Sequence, residues 1–164
     1  MNDIQFTCFK KVGKPIEIPE LDGFVTEDFW KSKEDGGFII GSIFSFPHLS
    51  IPKVVNNSPL VVVSGYDTDI LAREGHVIDE AKESRIYTTL NMAQIANIFE
   101  RHVIKGKRLL AVKEPVYNSF LTLDENKVLC AFLLFRLSDG WRAQYLPVKT
   151  DAPMKGQRIF LLNT

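Results

Sequence analysis

The sequence predicts an α+β fold, a mainly antiparallel sheet of about six to eight strands with two main helices packed on one face. Residues 107–162 form a run of short apolar segments separated by turn residues, with no helical pattern between them. Before this run, apolar residues recur at helical spacing in two segments, at about 69–83 and 91–104. Helices that precede an uninterrupted β block are typical of α+β domains, because the block pairs with itself in an antiparallel sheet.

The C-terminal third is expected to contain four or five strands. The segment 128–137 is apolar on both sides, which a strand needs only when both faces of the sheet are covered, so we place it at the sheet centre. The last strand is expected to dock inside the sheet, since an exposed apolar strand promotes aggregation. The predicted strands are Lys107–Glu114, Val116–Thr122, Val128–Leu137, Trp141–Leu146 and Arg158–Leu162.

The N-terminal half has weaker patterns. Alternating apolar residues predict strands at Ile4–Phe9 and Gly37–Phe46, and the residues 15–35 between them indicate at most one helical turn. Residues 48–59 are expected to form a loop. The β-branched run at Leu60–Val63 predicts a strand core that ends at the Ser-Gly pair directly after it.

The two helices differ in how clearly their ends are marked. Asn91 is a favourable N-cap with Gln94 three residues later, which is the capping-box spacing, and apolar residues then follow at helical spacing through 91–104. The helix at 69–83 has Gly75 in its middle, so we expect a break there.

Composition favours one soluble domain that spans residues 1–164. The chain is 45% hydrophobic and 24% charged, and its 20 basic and 20 acidic residues cancel, so no global field draws it to nucleic acid or to an anionic membrane. No segment has the length of a membrane span, and we expect a cytoplasmic protein. Cys8 and Cys130 lack metal-site spacing and are expected to be free, buried thiols.

One alternative function is a metal-dependent hydrolase or nuclease. Asp67 and Asp69 follow the apolar strand at Leu60–Val63, where carboxylates commonly hold a divalent cation, and His76 could be a third ligand or a general base. Glu80 and Lys82 have the acid-x-Lys spacing of some nucleases. The competing interpretation is that Asp67 caps the first helix and that the later charged residues form its solvated face.

A second alternative is a nucleic-acid-binding accessory protein. Arg101, Lys105, Lys107 and Arg108 form a basic cluster that could contact phosphates, with Tyr87 or Tyr117 nearby to stack on a base. Cations at the end of a helix are also expected from the helix dipole alone. Because the chain has no net charge, helix capping is the favoured interpretation of the cluster and nucleic-acid binding is the alternative.

The favoured interpretation is a binding protein without catalytic activity or cofactor of its own. The sequence has no nucleophile motif and three histidines, none in a recognisable catalytic pattern. Several aromatic residues occupy poorly patterned segments and could anchor a macromolecular partner, with a protein favoured, or could instead pack back onto the sheet. These residues are Phe24, Phe29, Trp30 and Phe46.

Overall fold

The structure, a computed structural model, describes residues 8–31, 38–39, 51–68, 73–83, 89–103, 105–112, 117–149, 151 and 156–163. Its strands are β1 (Phe9–Ile18), β2 (Leu21–Val25), β3 (Phe38–Ile39), β4 (Val54–Ser58), β5 (Val61–Thr68), β6 (Asn118–Leu123), β7 (Leu129–Leu137), β8 (Gly140–Pro147) and β9 (Arg158–Leu162). Its helices are α1 (Thr26–Lys31), α2 (Glu74–Glu83) and α3 (Met92–Val103).

Among the described residues, seven strands form the main sheet in the order β1-β5-β9-β6-β7-β8-β3, and β2 pairs with β4 in a separate sheet. Neighbouring strands are antiparallel except in the β6–β9 and β3–β8 pairs, which are parallel. The predicted α+β class with a mainly antiparallel sheet is confirmed. β7 lies between β6 and β8, and β9 lies between β5 and β6, inside the sheet as their apolar sequences predict.

The two longer helices cover opposite faces of the main sheet, so the prediction that both pack on one face is wrong. Phe120 of β6 and Phe160 of β9 pack in the cluster that contains α3. Leu121 and Ile159, each next to one of these residues along its strand, pack in the cluster that contains α2. Because successive side chains of a strand point to opposite faces, strands that are apolar on both sides need cover on both. We call the two sides the α3 face and the α2 face.

Local sequence signals placed the helices correctly. The Asn91 side-chain oxygen accepts the Gln94 N–H and the Gln94 side-chain oxygen accepts the Asn91 N–H, each at 3.0 Å, which is the capping box predicted for α3. α2 begins at Glu74, so Gly75 lies in its first turn rather than in its middle; residues 69–72 of the predicted helix lie outside the described residues. Among the described helices, none has the length and apolar composition needed to cross a membrane.

β5 continues through Ser64 and Gly65 to Thr68 instead of ending at the Ser-Gly pair. A Cβ atom on Gly65 would lie 3.4 Å from Phe160 Cε1 and 3.5 Å from Val12 Cγ2, so side chains of the two neighbouring strands pack over this bare backbone. Asp67 is therefore a strand residue, and its interpretation as a helix cap is wrong.

The N-terminal half contains strands that its sequence pattern did not indicate. The segment 48–59, predicted as a loop, contains β4, and the segment 15–35 contains β2 and the end of β1 as well as the short helix α1. The strand predicted at Ile4–Phe9 lies outside the described residues except for its last two positions, and of Gly37–Phe46 only β3 is described.

Residues 107–112 form no strand, contrary to the prediction for Lys107–Glu114. The N–H groups of Leu109 and Leu110 donate to Nδ1 of His102, and Ala111 bonds to the Asn118 side chain. Side chains thus take the backbone groups that a strand would pair with its neighbour. The residues 113–116 lie outside the described residues.

Candidate functional site

A cleft of about 730 Å³ opens on the α3 face, between the middle of β1 and the chain that follows α3. Its lining contains one carboxylate, Glu17, and six cations. These cations are Lys14, Arg101, Lys105, Lys107, Arg108 and Arg158. In a protein with no net charge, such a local excess of positive charge makes the cleft attractive to an anion. We call it the cationic cleft.

An irregularity in β1 forms one wall of the cationic cleft. Val12 pairs with Gly65 and Ile16 pairs with Val63, so the three residues between Val12 and Ile16 lie opposite a single residue of β5. Gly13 supplies the positive φ, of 69°, that this bulge contains. The bulge brings the exposed Lys14 to the cleft.

Two arginines of the cleft are held by the protein itself. Arg158 forms a bidentate ion pair with Asp67, with Nε–Oδ1 at 2.7 Å and Nη2–Oδ2 at 3.2 Å. Arg101 donates from Nη1 to the backbone oxygen of Glu17 at 2.7 Å, which links the end of α3 to β1. These contacts fix both guanidinium groups before any ligand arrives, which lowers the entropy that a bound anion must remove.

The remaining cations of the cleft are exposed and available. Lys105, Lys107 and Arg108 lie on the segment 105–112, which we call the cleft segment, and Lys14 lies on β1. Within the described part of the chain, no carboxylate forms an ion pair with any of the four. Ligand phosphates could therefore approach them without displacing an acidic side chain.

His102 holds the cleft segment in place. Its Nδ1 accepts the N–H groups of both Leu109 and Leu110 at 2.9 Å, and the Lys107 N–H donates to the Arg101 backbone oxygen at 3.1 Å. Burial lowers the pKa of His102. The positive charges of Arg136 and Arg158 lower this pKa further, so a neutral imidazole is favoured at neutral pH. These bonds set the position of Lys107 and Arg108 beside the cleft.

The residues of the metal-site hypothesis do not converge on one point. Asp67 pairs with Arg158 on the α3 face, whereas His76, Glu80 and Lys82 belong to α2 on the opposite face. Asp69 lies outside the described residues.

The α2 members of this hypothesis have other surroundings. Glu80 accepts the Cys8 N–H at 3.1 Å, and His76 and Lys82 are exposed. Among the described residues, no three His, Cys, Asp or Glu side chains are placed to share a metal ion. Neither Cys8 nor Cys130 forms a disulfide with a described residue, and only Cys130 is buried, so the predicted burial is wrong for Cys8.

The aromatic residues predicted as anchors pack inward where they are described. Trp30 is fully buried, with its ring centroid 5.3 Å from that of Phe99, so its predicted role at the surface is wrong. Phe24 and Phe29 are half-buried against the same core, with ring centroids 5.4 Å apart. Phe46 lies outside the described residues.

A smaller apolar surface remains near these aromatics, on the two-stranded sheet. Val25 of β2 and Val54 of β4 are paired across the strands and are 39% and 51% exposed. Val54 also borders a second cleft, of about 720 Å³, which contains both Asp124 and Lys127 in its lining. We call this exposed pair of valines the small-sheet patch.

Sequence reasoning found four of the six cleft cations and missed Lys14 and Arg158. The four are close together in the sequence, whereas the other two reach the cleft through the β1 bulge and strand β9. Tyr117, predicted to stack on a base, packs its ring against Phe135 with centroids 4.9 Å apart, and it does not line the cleft. Tyr87, the alternative, lies outside the described residues.

Comparison of the chain with protein-family models, with curated proteins and with solved structures gives no match.

Proposed function

We propose that the protein is a binding protein without catalytic chemistry of its own, and that its cationic cleft holds the phosphate backbone of a single-stranded nucleic acid. The observation that carries this proposal is the convergence of six cations, from β1, α3, the cleft segment and β9, on one cleft with a single carboxylate. Arginine and lysine side chains supply most of the affinity of proteins for nucleic acids, because they replace the counterions around the phosphates.

The fixed and the exposed cations of the cleft suit different parts in binding the phosphate backbone of a nucleic acid. Arg101 is fixed by a neutral backbone oxygen and keeps its positive charge, and Arg158 is compensated by Asp67. Lys105 and Lys107 are exposed on the cleft segment and can follow successive phosphates. Ammonium groups on flexible stems tolerate variable phosphate positions, which suits binding without sequence preference.

The dimensions and walls of the cleft favour a single strand over a duplex. A volume of about 730 Å³ lies in the range of ligand clefts, and in the described chain α3 packs flat against the sheet instead of projecting as a recognition helix would. Between the cations the walls are apolar, with the half-buried Val12 and Leu109 available to contact a base. The ring of Phe160 is buried in the floor, so aliphatic contact replaces aromatic stacking.

The test is fluorescence anisotropy with a labelled oligothymidylate of about 20 nucleotides, titrated at several salt concentrations. Four phosphate contacts, one for each exposed cation of the cleft, predict a slope of about −3 in a plot of log affinity against log salt concentration. Lys105→Gln and Lys107→Gln should each weaken binding and make this slope shallower by about 0.7. Lys82→Gln makes the same charge change on α2 and should leave both values unchanged. Absence of binding at low salt, or an equal effect of Lys82→Gln, would contradict the proposal.

A second candidate function is the binding of a protein partner at the small-sheet patch. The exposed pair Val25 and Val54 supports it, because apolar side chains that neighbour each other at a surface can form the centre of a protein interface. A Val54→Lys variant should then lose a partner that the wild type and Lys107→Gln both retain in a pull-down. Retention of that partner by Val54→Lys would argue against this candidate.

A further inference from the structure

The imidazole of His102 makes the contact that shapes the cleft segment. Nδ1 has one lone pair in the ring plane, and the N–H groups of Leu109 and Leu110 both point at it. An imidazole can accept at Nδ1 only when its proton is on Nε2, because a protonated ring donates from both nitrogens. The bond pattern therefore requires the neutral ring.

Cationic groups surround this ring on the strands beneath it. Arg136 of β7 and Arg158 of β9 act on it electrostatically, and the uncharged Trp141 of β8 contacts it edge-on, with centroids 5.5 Å apart. Arg158 is itself paired with Asp67, and it also donates to the Leu109 backbone oxygen at 3.3 Å. The cleft segment adds further positive charge, on Lys105, Lys107 and Arg108.

We infer that His102 is the positioning residue of the cationic cleft: its neutral imidazole holds Lys107 and Arg108 beside the cleft, and protonation of the ring releases the segment and weakens binding of a polyanion. The binding part of this inference rests on the proposed function, whereas the release of the segment does not. A protonated Nδ1–H would face two N–H donors, so Leu109 and Leu110 must turn away and carry the adjacent cations with them.

The direction in which affinity changes with pH distinguishes release of the cleft segment from a simple gain of positive charge. Added positive charge near a cleft ordinarily strengthens the binding of an anion, so acidification alone should raise affinity. Release of the cleft segment predicts the opposite, a loss of affinity at acidic pH. Burial and the arginines hold the pKa of His102 below its ordinary value. The loss of affinity should therefore appear at a lower pH than the one at which an exposed histidine titrates.

The experiment measures oligothymidylate binding at about pH 7.5 and about pH 5, since neither the thymine base nor the phosphodiester titrates in that range. Wild-type affinity should fall as His102 becomes protonated, by up to about tenfold, the scale of one lost hydrogen bond. The key variant is His102→Asn, whose side-chain oxygen can accept the same N–H groups but cannot be protonated. It should bind as tightly as the wild type at the higher pH and lose no affinity at the lower one. His76→Asn, at an exposed position of α2, is the matched control and should behave as the wild type.

Amide hydrogen exchange of the free protein tests the release without any ligand. The amides of Leu109 and Leu110 should lose protection in the wild type at acidic pH, after correction for intrinsic rates, and should keep it in His102→Asn. Constant protection in the wild type would overturn the inference, as would wild-type binding that strengthens on acidification. Failure to bind oligothymidylate at the higher pH, with the exchange result as expected, would overturn the proposed function and leave the role of His102 in holding the segment.

Discussion

Replacement of Asn118 should show how strongly the cleft segment depends on side-chain bonds in place of strand pairing. Asn118 is fully buried at the start of β6. Its side-chain oxygen accepts the Ala111 N–H at 2.7 Å, and its amide nitrogen donates to the backbone oxygens of Ala111, at 3.0 Å, and of Leu134, at 3.1 Å. All three bonds disappear in Asn118→Ala.

The expected loss of stability follows from these bonds. A typical intramolecular hydrogen bond contributes about 1 kcal/mol net, so three bonds correspond to about 3 kcal/mol. Water can reach part of Ala111 and replace its lost bonds, which lowers the expected loss of stability. The buried Leu134 oxygen would stay without a donor, which raises the expected loss. The two corrections act in opposite directions, so about 3 kcal/mol remains the expected decrease in the free energy of unfolding.

Urea unfolding with linear extrapolation measures the change, provided that the denaturant slope is unchanged. Asn56→Ala, at an exposed position of β4, is the matched control and should alter stability by less than about 0.5 kcal/mol. Asn118→Asp tests the donor role separately, because its second oxygen would face two carbonyl oxygens at neutral pH. A loss below about 1 kcal/mol for Asn118→Ala would refute the idea that these bonds replace strand pairing.

Three further substitutions test other parts of the fold by thermal or urea unfolding. Asn91→Ala removes the N-cap of α3 and should cost about 1 kcal/mol; no change would mean that the cap is dispensable. Gly65→Ala should be neutral or stabilise by about 0.5 kcal/mol, because the new Cβ would contact Phe160 at 3.4 Å and restrict the unfolded chain, whereas a marked loss would indicate overpacking. Burial raises the pKa of Glu74, although the Lys149 N–H donates to its carboxylate at 2.7 Å. The ionised carboxylate therefore destabilises the fold at pH values above the raised pKa, and Glu74→Gln should stabilise the protein near pH 7 but not near pH 3.5, where both forms are neutral. An equal gain at both pH values would contradict this assignment.

Elements with strong local signals could be predicted from the sequence. α3 has a capping box and regular apolar spacing, and β7 and β9 are apolar at every position except Arg136 and Arg158, so neighbouring residues alone define them. β4 could not be predicted in this way, because its Asn56 and Asn57 lower the strand propensity and its pairing with the distant β2 decides its conformation.

The cleft segment was predicted as a strand and forms none. Its apolar centre at Leu109–Ala111 has the composition of a strand, but His102 and Asn118 take the backbone N–H groups that a strand would use. Such a choice depends on tertiary contacts, which a propensity cannot register.

The candidate site was predictable only where its residues are neighbours in sequence. The cluster from Arg101 to Arg108 could be found as a basic run, whereas Lys14 joins it through a bulge and Arg158 through the position of β9. The metal hypothesis grouped carboxylates that are close in sequence. Their spacing does not reveal that β5 and α2 present them to opposite sides of the sheet.

The most direct test of the central claim is a titration of the isotopically labelled protein with oligothymidylate, followed by amide chemical-shift changes in two-dimensional NMR spectra. Binding in the cationic cleft predicts that the largest changes fall on Gly13, Lys14, Gly65 and the cleft segment, and that they disappear in a Lys105→Gln/Lys107→Gln double variant. Absence of shifts, or shifts centred on the small-sheet patch, would contradict the assignment of the cleft as the binding site.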